Sequence, residues 1–184
     1  IDNDKKNLKI VKSLNFKNLI TYECDITNNK NVESLFKKIK KSYFVDVLIN
    51  NAAIDAIPHK RGSIAQKYPT SKMWDDEMKV SLKGSFLMIK YFGEEMMTKK
   101  KGSIINIGSD LSVIAPNQKI YKSSYKNYIK PVTYSVIKHG MLGLTKYFSA
   151  LFAENNVRVN MVSPGPVKNN QSKELLNELK NIIP

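Results

Sequence analysis

A tyrosine and a lysine four positions apart, Tyr134 and Lys138, are the residues of this 184-residue chain best placed for chemistry. On a helix that spacing puts the phenol and the ammonium on one face. A nearby ammonium favours the phenolate, so the tyrosine can exchange a proton with a carbinol or a carbonyl near neutral pH. A serine hydroxyl would hold the oxygen of such a substrate, and Ser109 lies just past the apolar run 103–107 (SIINI). Spacing alone is weak evidence, because this lysine-rich chain holds a second copy, Tyr68 to Lys72. Pro69 falls inside that copy and disfavours a helix, so the same-face geometry is lost there. The pair at 134 and 138 instead belongs to a helical segment that follows a strand and a serine.

The elements that must position these groups alternate. Residues 18–24 (NLITYEC) read as a strand, and 31–43 as a helix with Val32, Leu35, Phe36 and Ile39 at helical spacing. A second strand at 45–49 ends in Asn50 and Asn51, and a loop runs over 55–71. The stretch 72–98 predicts a long amphipathic helix with Trp74, Met78, Leu82, Phe86 and Ile89 on one stripe. Strand 103–107, helix 133–154, strand 157–162 and a short helix over 170–183 complete the series. Such alternation predicts an α/β fold, a doubly wound parallel sheet with helices on both faces. Ligands of these sheets sit at the carboxyl ends of the strands. There the polar residues cluster: Asp25, Asn50 and Asn51, Ser109, and the Pro164–Gly165 turn.

Composition excludes several classes. No apolar run approaches the ~18 residues of a membrane span, and residues 1–12 are too polar and charged for a signal peptide. Cys24 is the one cysteine, which rules out an internal disulfide framework, and His59 and His139 are the only histidines, which argues against a metal centre. A reducing cytoplasm is the expected compartment. The net charge of +14 raises the question of nucleic acid, but the lysines are scattered and arginine occurs only at Arg61 and Arg158. The reading is a solvated lysine surface, with neither nucleic acid nor membrane as partner.

Asn50–Asn51–Ala52–Ala53 resembles the Asn-Asn-Ala-Gly element of short-chain dehydrogenases/reductases, and GSIINIGS (102–109) resembles that family's fifth strand with its serine. The stretch from Thr133 to Val167 is similar to the family's catalytic helix, sixth strand and Pro-Gly turn. Cys24 to Thr27 looks like the end of its third strand. The resemblance implies one Rossmann-like dinucleotide-binding oxidoreductase domain over 1–184 that uses NAD or NADP on a small-molecule alcohol or ketone. Tyr134 would be the general acid/base. Lys138 would lower its pKa and, with it, contact the cofactor, and Ser109 would orient the substrate oxygen. Asp25 and Ile26 would flank the adenine, Asn51, Ala52 and Ala53 would line the cofactor's path, and Pro164, Gly165 and Val167 would meet the nicotinamide. For Asn50 the better reading is local: an Asn after a strand often just satisfies nearby backbone.

Three departures qualify that picture. Ser81 stands where the family usually has an asparagine that supports a proton relay, and a serine with a water would have to substitute. The stretch between Ser109 and Tyr134 is longer than in the family. Its extra piece, 115–130, carries tyrosines and lysines that suit a polar, sugar-like substrate. Such inserts are similar to those of dehydrogenases of bacterial surface-sugar and flagellin-glycan pathways. The glycine-rich phosphate loop is missing, so the first βαβ portion and the last strand are expected beyond this stretch of sequence. Both long helices carry apolar stripes on more than one side, which fits the family's pairing of these helices across subunits, so the resemblance implies a homodimer or homotetramer. A non-catalytic dinucleotide-binding or scaffold protein on the same fold is the competing reading.

Residues 1–184 alone are therefore expected neither to fold stably nor to hold a dinucleotide. Cooperative thermal unfolding together with tight cofactor binding by that segment would refute this expectation.

Overall fold

Alternate residues of three short strands divide the molecule into a packed side and a bare one. The computed structural model describes residues 1–54, 68–124, 128–168 and 171–181, and at 122–124 the backbone alone. β1 (Val47–Asn50), β2 (Gly102–Ile107) and β3 (Val157–Val162) form a parallel sheet in the order β1-β2-β3. Leu48, Ile104 and Val159 stand in register across it. These three, with Val157, face a core supplied by Val32, Leu35 and Ile39 of α2 (Asn29–Lys40) and by two long helical stretches.

The first of those stretches runs from Ser71 to Lys99, close to the helix expected at 72–98, but it is not uniform. α3 (Ser71–Met78), α4 (Ser85–Met88) and α5 (Glu94–Lys99) are joined by π-helical turns at Lys79–Gly84 and Ile89–Gly93. Thr70 caps α3 by accepting from the Met73 N–H at 3.2 Å, so Tyr68 lies outside the helix that holds Lys72. After β2 come a 3₁₀ turn (Asp110–Ser112) and α6 (Gln118–Ser124). The second long stretch is α7 (Val132–Phe152), which buries Thr133, Ile137, Met141, Thr145, Phe148 and Phe152 along one stripe. A Cβ on Gly93 would meet the Phe152 ring at 2.7 Å, so glycine lets the two helical stretches close on each other. Beyond α7, Asn156 is left-handed (φ 55°), and its side chain donates to the Lys100 carbonyl at 3.0 Å. α8 (Lys173–Lys180) follows β3.

Two expectations need correction. The strand at 18–24 is reduced to one parallel bridge, Glu23 with Asp2, through Asp2 N–H to Tyr22 O at 3.2 Å and Cys24 N–H to Asp2 O at 3.0 Å. A ladder needs a neighbouring strand, and here Asp4 ends the pairing by capping a helix the periodicity did not announce, α1 (Lys5–Ser13). The face of β1 turned away from that core is the more open one, and there Val47 and Ile49 remain 50% and 57% exposed. Second, Asn50 is the last residue of β1 rather than the residue after it.

Residues 55–67 of the expected loop, 125–127 of the 115–130 stretch, and positions 170 and 182–183 of the expected last helix lie outside the described residues. Among the described residues, no helix is long and apolar enough to cross a membrane. No group of three or more His, Cys, Asp or Glu side chains there is placed to hold a metal ion.

Candidate active site

The carboxyl end of β2 organises the site. Lys138, on the second turn of α7, donates from Nζ to the carbonyl of Ile107, the last residue of β2, at 2.9 Å. The same ammonium stands 5.6 Å from the centroid of the Tyr134 ring, so the helix does place phenol and ammonium on one face. Two residues past Ile107, Ser109 is buried and caps the 3₁₀ turn that α7 packs against. Its Oγ donates to Asp110 Oδ1 at 2.7 Å and accepts from the Leu111 N–H at 3.2 Å. The Asp110 N–H bonds the Pro164 carbonyl at 3.2 Å, which ties the Pro-Gly turn after β3 to the serine turn after β2.

Asp25, Ile26, Asn51, Ala52 and Ala53 meet elsewhere, in the lining of a cavity of about 680 Å³. Asp25 Oδ1 accepts from the Thr27 N–H at 2.9 Å, which shapes the bend after the Asp2–Glu23 bridge. Ile26 rests on the first π-turn, where a Cβ on Gly84 would come within 2.6 Å of its Cδ1. Cys24 shares the lining, but burial, then the charge of Asp25, push its thiol pKa up, which disfavours a nucleophilic thiolate. Pro164, Gly165 and Val167 do not line this cavity.

Ser81 sits in the π-turn, buried, its carbonyl accepting from Ser85 Oγ at 2.7 Å. Its own hydroxyl has no hydrogen-bond partner among the described residues. The turn packs against α7, where a Cβ on Gly140 would meet Leu82 at 2.9 Å. π-Turns inside helices often mark functional positions.

Beneath these groups runs a buried polar chain. Asn50 Nδ2 donates to Asn106 Oδ1 at 2.8 Å, Asn106 Nδ2 to Thr145 Oγ1 at 2.9 Å, and Thr145 Oγ1 to the Met141 carbonyl at 2.7 Å. Asn106 is 0% exposed. The chain links the ends of β1 and β2 to the middle of α7, and so sets how α7 presents Tyr134 and Lys138.

A family model described as enoyl-(acyl carrier protein) reductase matches residues 1–182. An NAD-dependent glycerol dehydrogenase of Listeria innocua is 29% identical over 181 residues, which cover 95% of this chain and 64% of that protein. A 3-oxoacyl-[acyl-carrier-protein] reductase of Buchnera aphidicola is 34% identical over 154 residues, 82% of this chain and 56% of its own length. The chain belongs to the short-chain dehydrogenase/reductase family. It spans less than two thirds of either relative. A crystal structure of a short chain dehydrogenase from Leptospira borgpetersenii with bound NAD⁺ superposes with a TM-score of 0.72 at 29% identity, covering 85% of this chain and 57% of that one.

In this family member the structure brings Lys138 to the Tyr134 ring and packs α7 on the turn that Ser109 caps. It gives Asn50 another role than the sequence suggests. The Asn50 side chain is buried and spends its hydrogen bond on Asn106, because a buried amide at a strand end needs a partner inside the sheet. Asn106, Thr145 and Asp110 were not singled out by sequence. The available signal for Asn106 was an asparagine set inside an otherwise apolar strand.

Asn106→Ala leaves the buried Asn50 amide unpaired and opens a cavity, and is expected to cost about 3 kcal/mol. Urea unfolding of the whole natural protein checks this. A midpoint unchanged from wild type would show that the polar chain does not set stability.

Proposed function

We propose that the protein is an NAD- or NADP-dependent oxidoreductase that interconverts a secondary alcohol and a ketone, with Tyr134 as general acid/base. The observation that carries the reading is the placement of Lys138, fixed by the Ile107 carbonyl and 5.6 Å from the Tyr134 ring, beside the Ser109 turn. The positive charge favours the phenolate, so Tyr134 takes the hydroxyl proton of an alcohol or returns one to a carbonyl oxygen. Ser109 would turn its hydroxyl from Asp110 to the substrate oxygen and hold it for that transfer. Ser81, a buried hydroxyl on the π-turn without a partner among the described residues, would position a water that passes protons toward Lys138.

The nicotinamide supplies or accepts the hydride when bound. Asp25 and Ile26 would hold the adenine, Asn51, Ala52 and Ala53 the path of the cofactor, and Pro164, Gly165 and Val167 its nicotinamide end, with Tyr134 and Lys138 at the ribose. Asp25, Ile26, Asn51, Ala52 and Ala53 share the lining of one cavity, which supports placing a single bound group against them. The named relatives, one NAD-dependent and one with NAD⁺ bound, support the same class of cofactor. The 115–130 segment supports a polar substrate. The named relatives lend nothing to a surface-sugar link, and the reading stops at polarity. We place the reaction in the cytoplasm, on the single buried cysteine.

Two outer surfaces support self-association. Phe86 on α4 is 42% exposed, and Tyr147 and Leu151 on α7 are 63% and 49% exposed. They continue outward from the Phe148 ring, which lies 6.3 Å from Phe86 and 5.2 Å from Tyr147. We read this patch as the contact of a homodimer or homotetramer. Leu151→Arg should lower the mass found by light scattering to that of the monomer, and an unchanged mass removes this patch as the interface.

Tyr134→Phe in the natural protein should cut turnover of a panel of secondary alcohols and ketones at least about a hundredfold, read at the reduced-nicotinamide absorbance band. Dinucleotide affinity should persist. Full turnover by the variant removes the catalytic role. Cofactor binding by a wild type that turns over none of the panel would favour the non-catalytic alternative.

A further inference from the structure

Lys130 closes the 115–130 segment, four residues before Tyr134 and next to Pro131. Its Nζ lies 3.6 Å from the centroid of the Tyr134 ring, closer than that of Lys138. The backbone that carries it is held on both sides. Gln118 Nε2 donates to the Lys130 carbonyl at 3.1 Å, and Gln118 Oε1 accepts from the Lys130 N–H at 2.9 Å. Gln118 opens α6, which packs on α8, and Ile120, Tyr128 and Leu175 are buried there. Pro131 then fixes the entry into α7.

We propose that Lys130 is a second cationic positioning residue for Tyr134, acting with Lys138 to lower the proton affinity of the phenol. The proposal rests on the role given to Tyr134 above. An ammonium over the ring face attracts a neutral phenol modestly and a phenolate by a full charge. The difference appears as a lowered tyrosine pKa.

Charges on the elements packed against α7 bear on the same group. The 3₁₀ turn brings Asp110, which opposes the two ammonium groups but is already engaged by the Ser109 hydroxyl and the Leu111 N–H. α3 brings Asp75, Asp76, paired with Lys72, and Glu77, and the π-turn brings Lys79 and Lys83. On α7 itself His139 is exposed and bonded to the Ser135 carbonyl. Glu154, in the turn after α7, and Arg158, on β3, lie beyond the far end of that helix, about 30 Å along its axis from Tyr134. Lys130 is the contribution of the long segment between Ser109 and Tyr134. That segment thereby reaches the chemistry as well as the substrate side.

The test is a phenolate absorbance titration of the natural protein, taken as the difference from Tyr134→Phe, which reads this one phenol whether or not substrate turns over. Lys130→Met should raise its midpoint by about one pH unit, and Lys130→Arg should keep it at the wild-type position. The rising limb of kcat/KM for alcohol oxidation should move to higher pH by the same amount. If Lys130→Met does not fold, Lys130→Gln, which keeps part of the stem, gives the same reading. A wild-type midpoint in a folded, uncharged Lys130 variant overturns the proposal, even if Tyr134→Phe is inactive. Full turnover by Tyr134→Phe would instead remove the acid/base role, while the titration still decides the coupling.

Discussion

Everything at the carboxyl edge depends on one buried amide. Asn106 sits in the middle strand with no solvent to satisfy it, so it holds Asn50 on one side and Thr145 on the other. A polar group in such a place is costly unless fully bonded, and for that reason it admits one arrangement of its neighbours. β1, β2 and α7 therefore meet in a single register. The Lys138 bond to Ile107, one residue beyond Asn106, lies on top of that register. Apolar packing from Phe148, Phe152, Ile89 and Ile104 supplies the driving force for bringing the layers together. It does not choose the rotation of α7 about its own axis, and the amide chain does.

Ser109 has two claims on its hydroxyl. In the present arrangement it completes its own turn, donating a hydrogen bond to Asp110 and accepting one from the Leu111 N–H. Both bonds are local and fix the serine just past the strand end. A residue that is already oriented loses little freedom when a substrate oxygen replaces a neighbour's carboxylate. Structural capping and the proposed substrate orientation thus use the same geometry.

What the sequence disclosed follows the range of the forces involved. Tyr134 and Lys138 were legible because same-face placement on a helix is a local matter, and Ser109 because it directly follows an apolar strand. The three strands that pair were found for the same reason. The run 18–24 looked equally strand-like, yet strand formation depends on a partner from elsewhere in the chain, and only Asp2 meets Glu23. α1 was missed because its stability begins with the Asp4 cap rather than with an apolar stripe. The π-turns around Ser81 leave no mark in periodicity over so few residues. Lys130 was legible as a charge in a polar segment. Its position over the Tyr134 ring is set by Gln118, twelve residues away, through an amide pair that no short pattern encodes.

The tie between Asn156 and the Lys100 carbonyl lies at the opposite end of the strands from the chemistry. It joins the two stems just before β2 and β3 begin, so the stems are registered independently of the loops at the other edge. A loop that leaves after Ser112 and returns at Pro131 can then change length at small cost, since closure entropy rises by only about 0.6 kcal/mol per doubling. On the proposed reading, grafting a different loop over 115–129 that keeps Lys130 above the Tyr134 ring would alter what enters without disturbing how the proton moves.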